Sequence, residues 1–201
     1  FVSAEIEAVP AGRAREAGFD RSMILSYGQD DRSCSFASLK AVLDVDKPEV
    51  TSCAIFVDKE EIGSVGATGM LSRFFENAVL EVLERMRLDN GLNLARVLRG
   101  SRMLSADVNA AYDSLYAPAF ELSNASVLGH GATVVKFKGA RGKAGTNDAN
   151  AEFLASLRDI WDRNGVVHQH TEGGKVDMGG GGTIAYMLAN YGMQVVDCCV
   201  P

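Results

Sequence analysis

Short apolar runs of strand length alternate with segments of helical period, and this alternation narrows the fold more than any single residue does. SCAIFV (52–57), SRMLSAD (101–107), ATVVKFK (132–138), VVHQH (166–170) and QVVDCCV (194–200) each have the length and composition of a strand. VSAEIEAV (2–9) alternates like a half-exposed one. Between them, SFASLKAVLDV sets Phe36, Leu39 and Leu43 on one helical face. LSRFFENAVLEVLERM carries Leu71, Phe74, Phe75, Ala78, Val79, Val82, Leu83 and Met86 at the spacing of an amphipathic stripe, with Gly91 as its stop. A further helix is expected from Asn147 to about Arg163, capped by Asn147 or Asp148, with Phe153, Leu157, Ile160 and Trp161 inward. TIAYMLANYG predicts a last one. Strands and helices in this order predict a layered α/β domain.

The chain has 201 residues, enough for one sizeable core, and 47% of them are hydrophobic. A net charge of -6 and a pI near 5.1 argue against a nucleic-acid partner, which calls for clustered Lys and Arg. No apolar run nears the ~18 residues of a membrane span and the N-terminus lacks a signal-peptide pattern, so a cytoplasmic protein is expected. Cys34, Cys53, Cys198 and Cys199 form no C-x-x-C pair and read as structural thiols. A start at Phe1 and an end at Pro201, directly after an apolar run, suggest a piece of something longer. Two irregular stretches, 109–131 and 139–145, are long enough to suggest function.

Three acidic sites fall at or near strand ends: Asp30 and Asp31 in YGQDDR, Glu60 and Glu61 in DKEE, and Asp107 in LSAD. Ligands of open α/β sheets sit at the carboxyl ends of strands. Carboxylates gathered there raise one another's pKa unless a cation neutralises them, and hard divalent metals are the usual cation. Two metals about 3.5–4 Å apart clamp an attacking water and a substrate oxygen together. In extended backbone the side chains of Glu60 and Glu61 start in opposite directions, so one can ligate a metal while the other stays free as general base. Taken alone, an acidic pair after a strand is more often a solvated turn.

The glycine run Gly179 to Gly182, followed by Thr183, opens a helix and either brings backbone N–H groups to an anionic group or is simply a flexible loop. GARGKAGT is not a phosphate-binding loop: Gly139, Gly142 and Lys143 are wrongly spaced, and Ala144 stands where Ser or Thr is needed. His130, His168 and His170 lack a neighbouring carboxylate at metalloprotease spacing, so structural or surface roles are expected for them.

Taken together, FVSAEIEAVPAGRA, SYGQDDRSCSFASLKA, DKEEIGSVGATGMLSRFFEN, LSADV, GARGKAGTNDANAEF and GKVDMGGGGTIAYMLANYGMQVVDC closely resemble the aspartyl aminopeptidase family of dizinc exopeptidases, in order and over almost the whole chain. The resemblance implies a zinc-exopeptidase α/β catalytic domain, phosphorylase/hydrolase-like, with a sheet between helices on both faces. It implies two zinc ions, with cobalt or manganese as alternatives, and removal of the N-terminal residue from peptide substrates. On matching positions it makes Asp30 the carboxylate bridging both metals, Glu60 the general base, and Glu61 and Asp107 ligands of one metal each. Gly181, Gly182 and Thr183 would border the substrate. A cis Asp30–Asp31 peptide bond, and a homo-oligomer of the parent protein that a piece without the dimerisation domain need not form, follow from the same likeness.

Three departures from the family pattern stand beside it. A His-x-Asp segment upstream of an inserted dimerisation domain and a Met-His segment after the last strand are both missing from residues 1–201, which then form a single incomplete catalytic domain. Residues 1–14 resemble the return from that inserted domain. Two metal-binding histidines would be lacking, so the isolated chain is expected to bind zinc weakly and to be inactive. After Asp107 the chain reads NAAYDSLYAPAF rather than a His-rich run, which fits a bacterial subgroup of broader specificity. The alternative is a non-catalytic binding or assembly module in which the acidic residues are a relic.

Overall fold

The computed structural model describes residues 1–141 and 143–201. At its centre, β3 (Arg102–Val108), β4 (Ala132–Val135), β7 (His168–Thr171) and β8 (Gln194–Val200) form one mixed sheet in the order β3-β8-β4-β7. β8 runs parallel to β3 and antiparallel to β4, and β4 runs parallel to β7. The run QVVDCCV suits the inner position: side chains alternate across a strand, and both faces of this one are covered.

Val195 points into a cluster with Leu83, Leu94, Leu98, Met187 and Leu188, which brings α2 (Phe74–Arg85), α3 (Gly91–Arg99) and α5 (Ala185–Ala189) onto one face. Its neighbour Val196 points the other way, into a cluster of Val134, Ala149, Phe153 and Leu157 beneath α4 (Ala151–Arg163). Helices therefore cover both faces of the sheet. A 3-residue hairpin pair, β1 (Arg15–Ala17) and β2 (Met23–Leu25), leads into α1 (Gln29–Leu43).

Several expectations are corrected. Residues 2–9 are exposed and unpaired, and SCAIFV enters no sheet; each has strand character, but a strand also needs a neighbour offering its free edge. ATVVKFK divides at Lys136: β4 stays in the central sheet, while β5 (Phe137–Ala140) pairs antiparallel with β6 (Ala144–Asp148). The stretch read as a loop from 139 to 145 is therefore mostly hairpin, and Gly142 of the rejected phosphate-loop pattern lies outside the described residues.

Gly91 does not end a helix but begins α3, because the Asn90 side chain accepts from the Asn93 N–H at 2.9 Å and caps it. The cap of α4 is Asn150, accepting from the Phe153 N–H at 3.0 Å, because Asn147 and Asp148 belong to β6. Ile160 is exposed, as are Leu71, Phe74, Val82 and Met86 of the α2 stripe. On α1 the apolar face is open, with Phe36 67% exposed, and the buried side chain is Cys34.

Candidate metal centre

Asp30 and Asp31 stand at the head of α1, outside helical geometry, after Gly28 at φ 74°, and the peptide bond between them is cis. Gln29 ties this corner down by donating to Ile24 O at 2.7 Å. The glutamate pair is not in extended backbone, as the sequence suggested, but in a 3-10 turn, Glu60–Ile62. Left-handed Lys59 (φ 66°) and Gly63 (φ 95°) bracket the turn, and the Gly63 N–H donates to Glu60 O at 2.9 Å. Behind it, buried Ser64 donates its N–H to Lys59 O at 2.7 Å and accepts from the Leu71 N–H at 3.1 Å. The turn thus rests on an ordered loop while both carboxylates face outward.

Asp107 lies near the carboxyl end of β3, in register with Cys199 of β8. Its Oδ1 accepts from the Val108 N–H at 2.8 Å, and its Oδ2 from Lys138 Nζ at 3.3 Å. Lys138, on β5, is buried, and its ammonium also donates to Val108 O at 3.1 Å and Cys199 Sγ at 3.4 Å. Burial acts against this charge, but attraction from Cys199, Asp107 and Asp197 outweighs it and raises the lysine's pKa. Because burial pushes the Cys199 thiol to about 12, the carboxylates are the lasting partners at neutral pH.

Asp30, Glu60, Glu61 and Asp107 line one cavity of about 680 Å³, together with Lys138, Asn109, Tyr116, Phe120 and the backbone of Gly173 and Gly180 to Gly182. Gly181 and Gly182 border this space. Thr183 does not: it is buried, and its hydroxyl donates to Asp197 Oδ1 at 2.5 Å while accepting from the Ala185 N–H at 3.2 Å. Two loops close the cavity from the side, joined by the Lys175 N–H donating to Ala119 O at 2.9 Å.

Burial, then the charges of Asp107 and Glu61, raise the Asp30 pKa, and burial with Asp107, Glu61 and Asp30 does the same for Glu60. Asp31, also raised chiefly by burial, was not singled out as a ligand in the sequence, yet one oxygen each of Asp30, Asp31 and Asp107 come within 4.8 Å of one another. Asp31 Oδ1 is buried without a hydrogen-bond partner among the described residues.

Converging carboxylates, one orphaned buried oxygen and a single, already engaged lysine are the surroundings in which a divalent cation relieves both repulsion and desolvation. The oxygen donors fit zinc's carboxylate ligation. His130, His168 and His170 do not line the cavity; His168 instead packs, tilted and edge-on, between Trp161 and His170, at 5.0 and 5.5 Å between ring centres.

The profile of the family described as "Aminopeptidase I zinc metalloprotease (M18)" matches residues 1–201. A "Probable M18 family aminopeptidase 1" of Clostridium acetobutylicum is 53% identical over 200 residues, covering 100% of this chain and 43% of its own. The crystal structure of an M18-family aminopeptidase from Thermotoga maritima superposes with a TM-score of 0.88 at 46% identity, over 94% of this chain and 42% of that one. A structure titled as the S. cerevesiae mApe1 dodecamer aligns with a TM-score of 0.71 at 25% identity, over 94% of this chain and 41% of that one. The chain thus spans less than half the length of these relatives. Among the described residues, no helix is long and apolar enough to cross a membrane.

Proposed function

Because the chain belongs to the M18 family of aminopeptidase I zinc metalloproteases, we propose that it supplies the catalytic α/β unit of an enzyme that removes the N-terminal residue from peptides. The single observation carrying this reading is the convergence of Asp30, Glu60, Glu61 and Asp107 on one cavity. Asp30 would hold both metals, with Glu61 and Asp107 on one each; two zinc ions bound there supply Lewis acidity to the scissile carbonyl and acidify a water.

Glu60 takes the proton of the attacking water and returns it to the nitrogen of the leaving amine. Its raised pKa suits a group that must both accept and release a proton. The 3-10 turn keeps Glu60 on the cavity beside Glu61, so base and ligand are placed by one short segment. Backbone of Gly181 and Gly182 borders the peptide, and Tyr116 and Phe120 offer apolar surface to its side chain.

The cavity lining offers carboxylates but no imidazole, so the 201-residue chain alone binds zinc weakly, and tight binding belongs to the whole protein. That protein acts in the cytoplasm and assembles as a homo-oligomer. The same lack of imidazole is what the second reading, a non-catalytic assembly module, rests on. Elemental analysis of the whole protein, with amino-acid release from a panel of aminoacyl reporters, decides between them. Stoichiometric zinc, with turnover lost in Glu60→Gln but zinc retained, is expected; a whole protein without metal overturns the enzyme.

A further inference from the structure

We infer that Asn109 is a specificity-determining residue that accepts a hydrogen bond from the substrate's free amino terminus, an assignment that rests on the aminopeptidase reading. Asn109 follows β3 by one residue and lines the cavity, yet it is only 7% exposed. Its backbone N–H donates to Val200 O at 2.8 Å, fixing the chain to the end of β8. Its side-chain Nδ2 donates to Ser126 Oγ at 2.6 Å. Ser126 is fully buried, paired with Thr171 Oγ1 at 2.9 Å and approached by Thr133 Oγ1 at 3.5 Å. Hydroxyls from β4 and β7 therefore hold the serine that holds the amide.

An amide has two ends, and engaging one of them fixes where the other points. No hydrogen bond among the described residues uses Asn109 Oδ1. This oxygen lies beside Gly173, another cavity-lining residue, at ordinary contact distance, 3.6 Å, from where a Cβ would stand there. A rigid, neutral acceptor thus meets a cavity in which Asp30, Glu60, Glu61 and Asp107 are assigned to metal and proton transfer, and the fifth carboxylate, Asp113, accepts from the Leu115 N–H at 2.8 Å. The ammonium of a peptide N-terminus brings three donors and a positive charge, and a peptide without one leaves Oδ1 desolvated and unpaired. Such an unpaired group is what makes a polar site reject an analogue lacking the matching donor.

The test uses the whole protein with zinc bound and two probes of one side chain: L-leucine hydroxamate and 4-methylpentanohydroxamic acid, which lacks the amine. Their affinities are measured by calorimetry in wild type, Asn109→Val, Asn109→Asp and Ser126→Ala. Asn109→Val is expected to weaken the amine-bearing probe roughly 10- to 100-fold, the range of a hydrogen bond to a charged group, and the desamino probe less than about twofold. Asn109→Asp, of the same shape with an acceptor retained, keeps the preference for the amine. Ser126→Ala, which frees the amide to turn, reduces it.

Equal weakening of both probes, or none, in Asn109→Val overturns the assignment while leaving the aminopeptidase reading intact. If Asn109→Val does not fold, loss of the preference in folded Asn109→Asp, or its full survival in Ser126→Ala, overturns it equally. A wild type that binds neither probe and releases no amino acid overturns both readings together.

Discussion

At the mouth of the cavity, Glu60 and Glu61 stand exposed on a 3-10 turn, and no side-chain hydrogen bond among the described residues holds either carboxylate. On its floor, Lys138 and Asn109 are buried and tied to neighbouring strands at several atoms each, and behind them Asp197, 0% exposed, accepts from Thr183 at 2.5 Å. The mouth carboxylates are held by few contacts of their own, so little of the fold depends on them. The floor is fixed because most of its polar groups are buried and paired, and unpairing them is costly, although Asp197 Oδ2 is itself buried without a partner among the described residues. The difference teaches that one cavity combines a lightly held acidic rim with a floor whose polar side chains are also part of the packed sheet.

Glu60→Gln tests this separation most severely. In the zinc-loaded whole protein, turnover should fall by about 10²- to 10⁴-fold, the usual contribution of a general acid–base, while the urea unfolding free energy moves by less than about 0.5 kcal/mol. A large stability change would mean that the mouth is structural after all. Lys138→Met works from the floor: it removes the donor that orients Asp107 Oδ2, so zinc affinity in a competition titration should drop about 10- to 100-fold.

Next comes Thr183→Val, which removes the hydroxyl donating to Asp197 at 2.5 Å and should cost about 1–3 kcal/mol by urea denaturation without changing zinc content. The smallest effect is one of pH. Burial raises the Asp197 pKa, against the hydrogen bond from Thr183 that lowers it. A raised folded pKa contributes stability that is fully present below the unfolded value, about 3.9, and lost as pH rises through the folded one. Asparagine does not titrate, so the stability of Asp197→Asn relative to wild type should improve from pH 4 to pH 7; a constant difference in chemical denaturation would show that burial does not govern this carboxyl.

The strand of the central sheet with both faces covered could be read from residues alone: QVVDCCV is apolar enough to have few other uses, whereas SRMLSAD, at the sheet edge, is more polar. α4 was readable in its stripe but not its start, because Asn147, Asp148 and Asn150 are all good caps and only β6 decides among them. α3 escaped notice because the glycine at its first position reads as a stop until the Asn90 cap is seen.

For the cavity, acids at or near strand ends mark Asp30, Glu60, Glu61 and Asp107 in the sequence, and the family likeness assigns their roles. Lys138, Asn109 and Asp197 gave no such signal. A lysine in KFK looks solvated, and only the pairing of β5 with β6 and the nearness of Asp107 turn it inward.

Five carboxylates, Asp30, Glu60, Glu61, Asp107 and Asp113, lining one cavity with a single engaged ammonium also have a consequence in time. Such a recess focuses a negative potential that reaches past its opening, so divalent cations should be drawn in faster than diffusion alone would bring them, and anions turned away. Added salt shortens that reach to about 8 Å at physiological ionic strength. The rate at which metal arrives, more than the rate at which it leaves, should therefore be what the surrounding electrolyte controls.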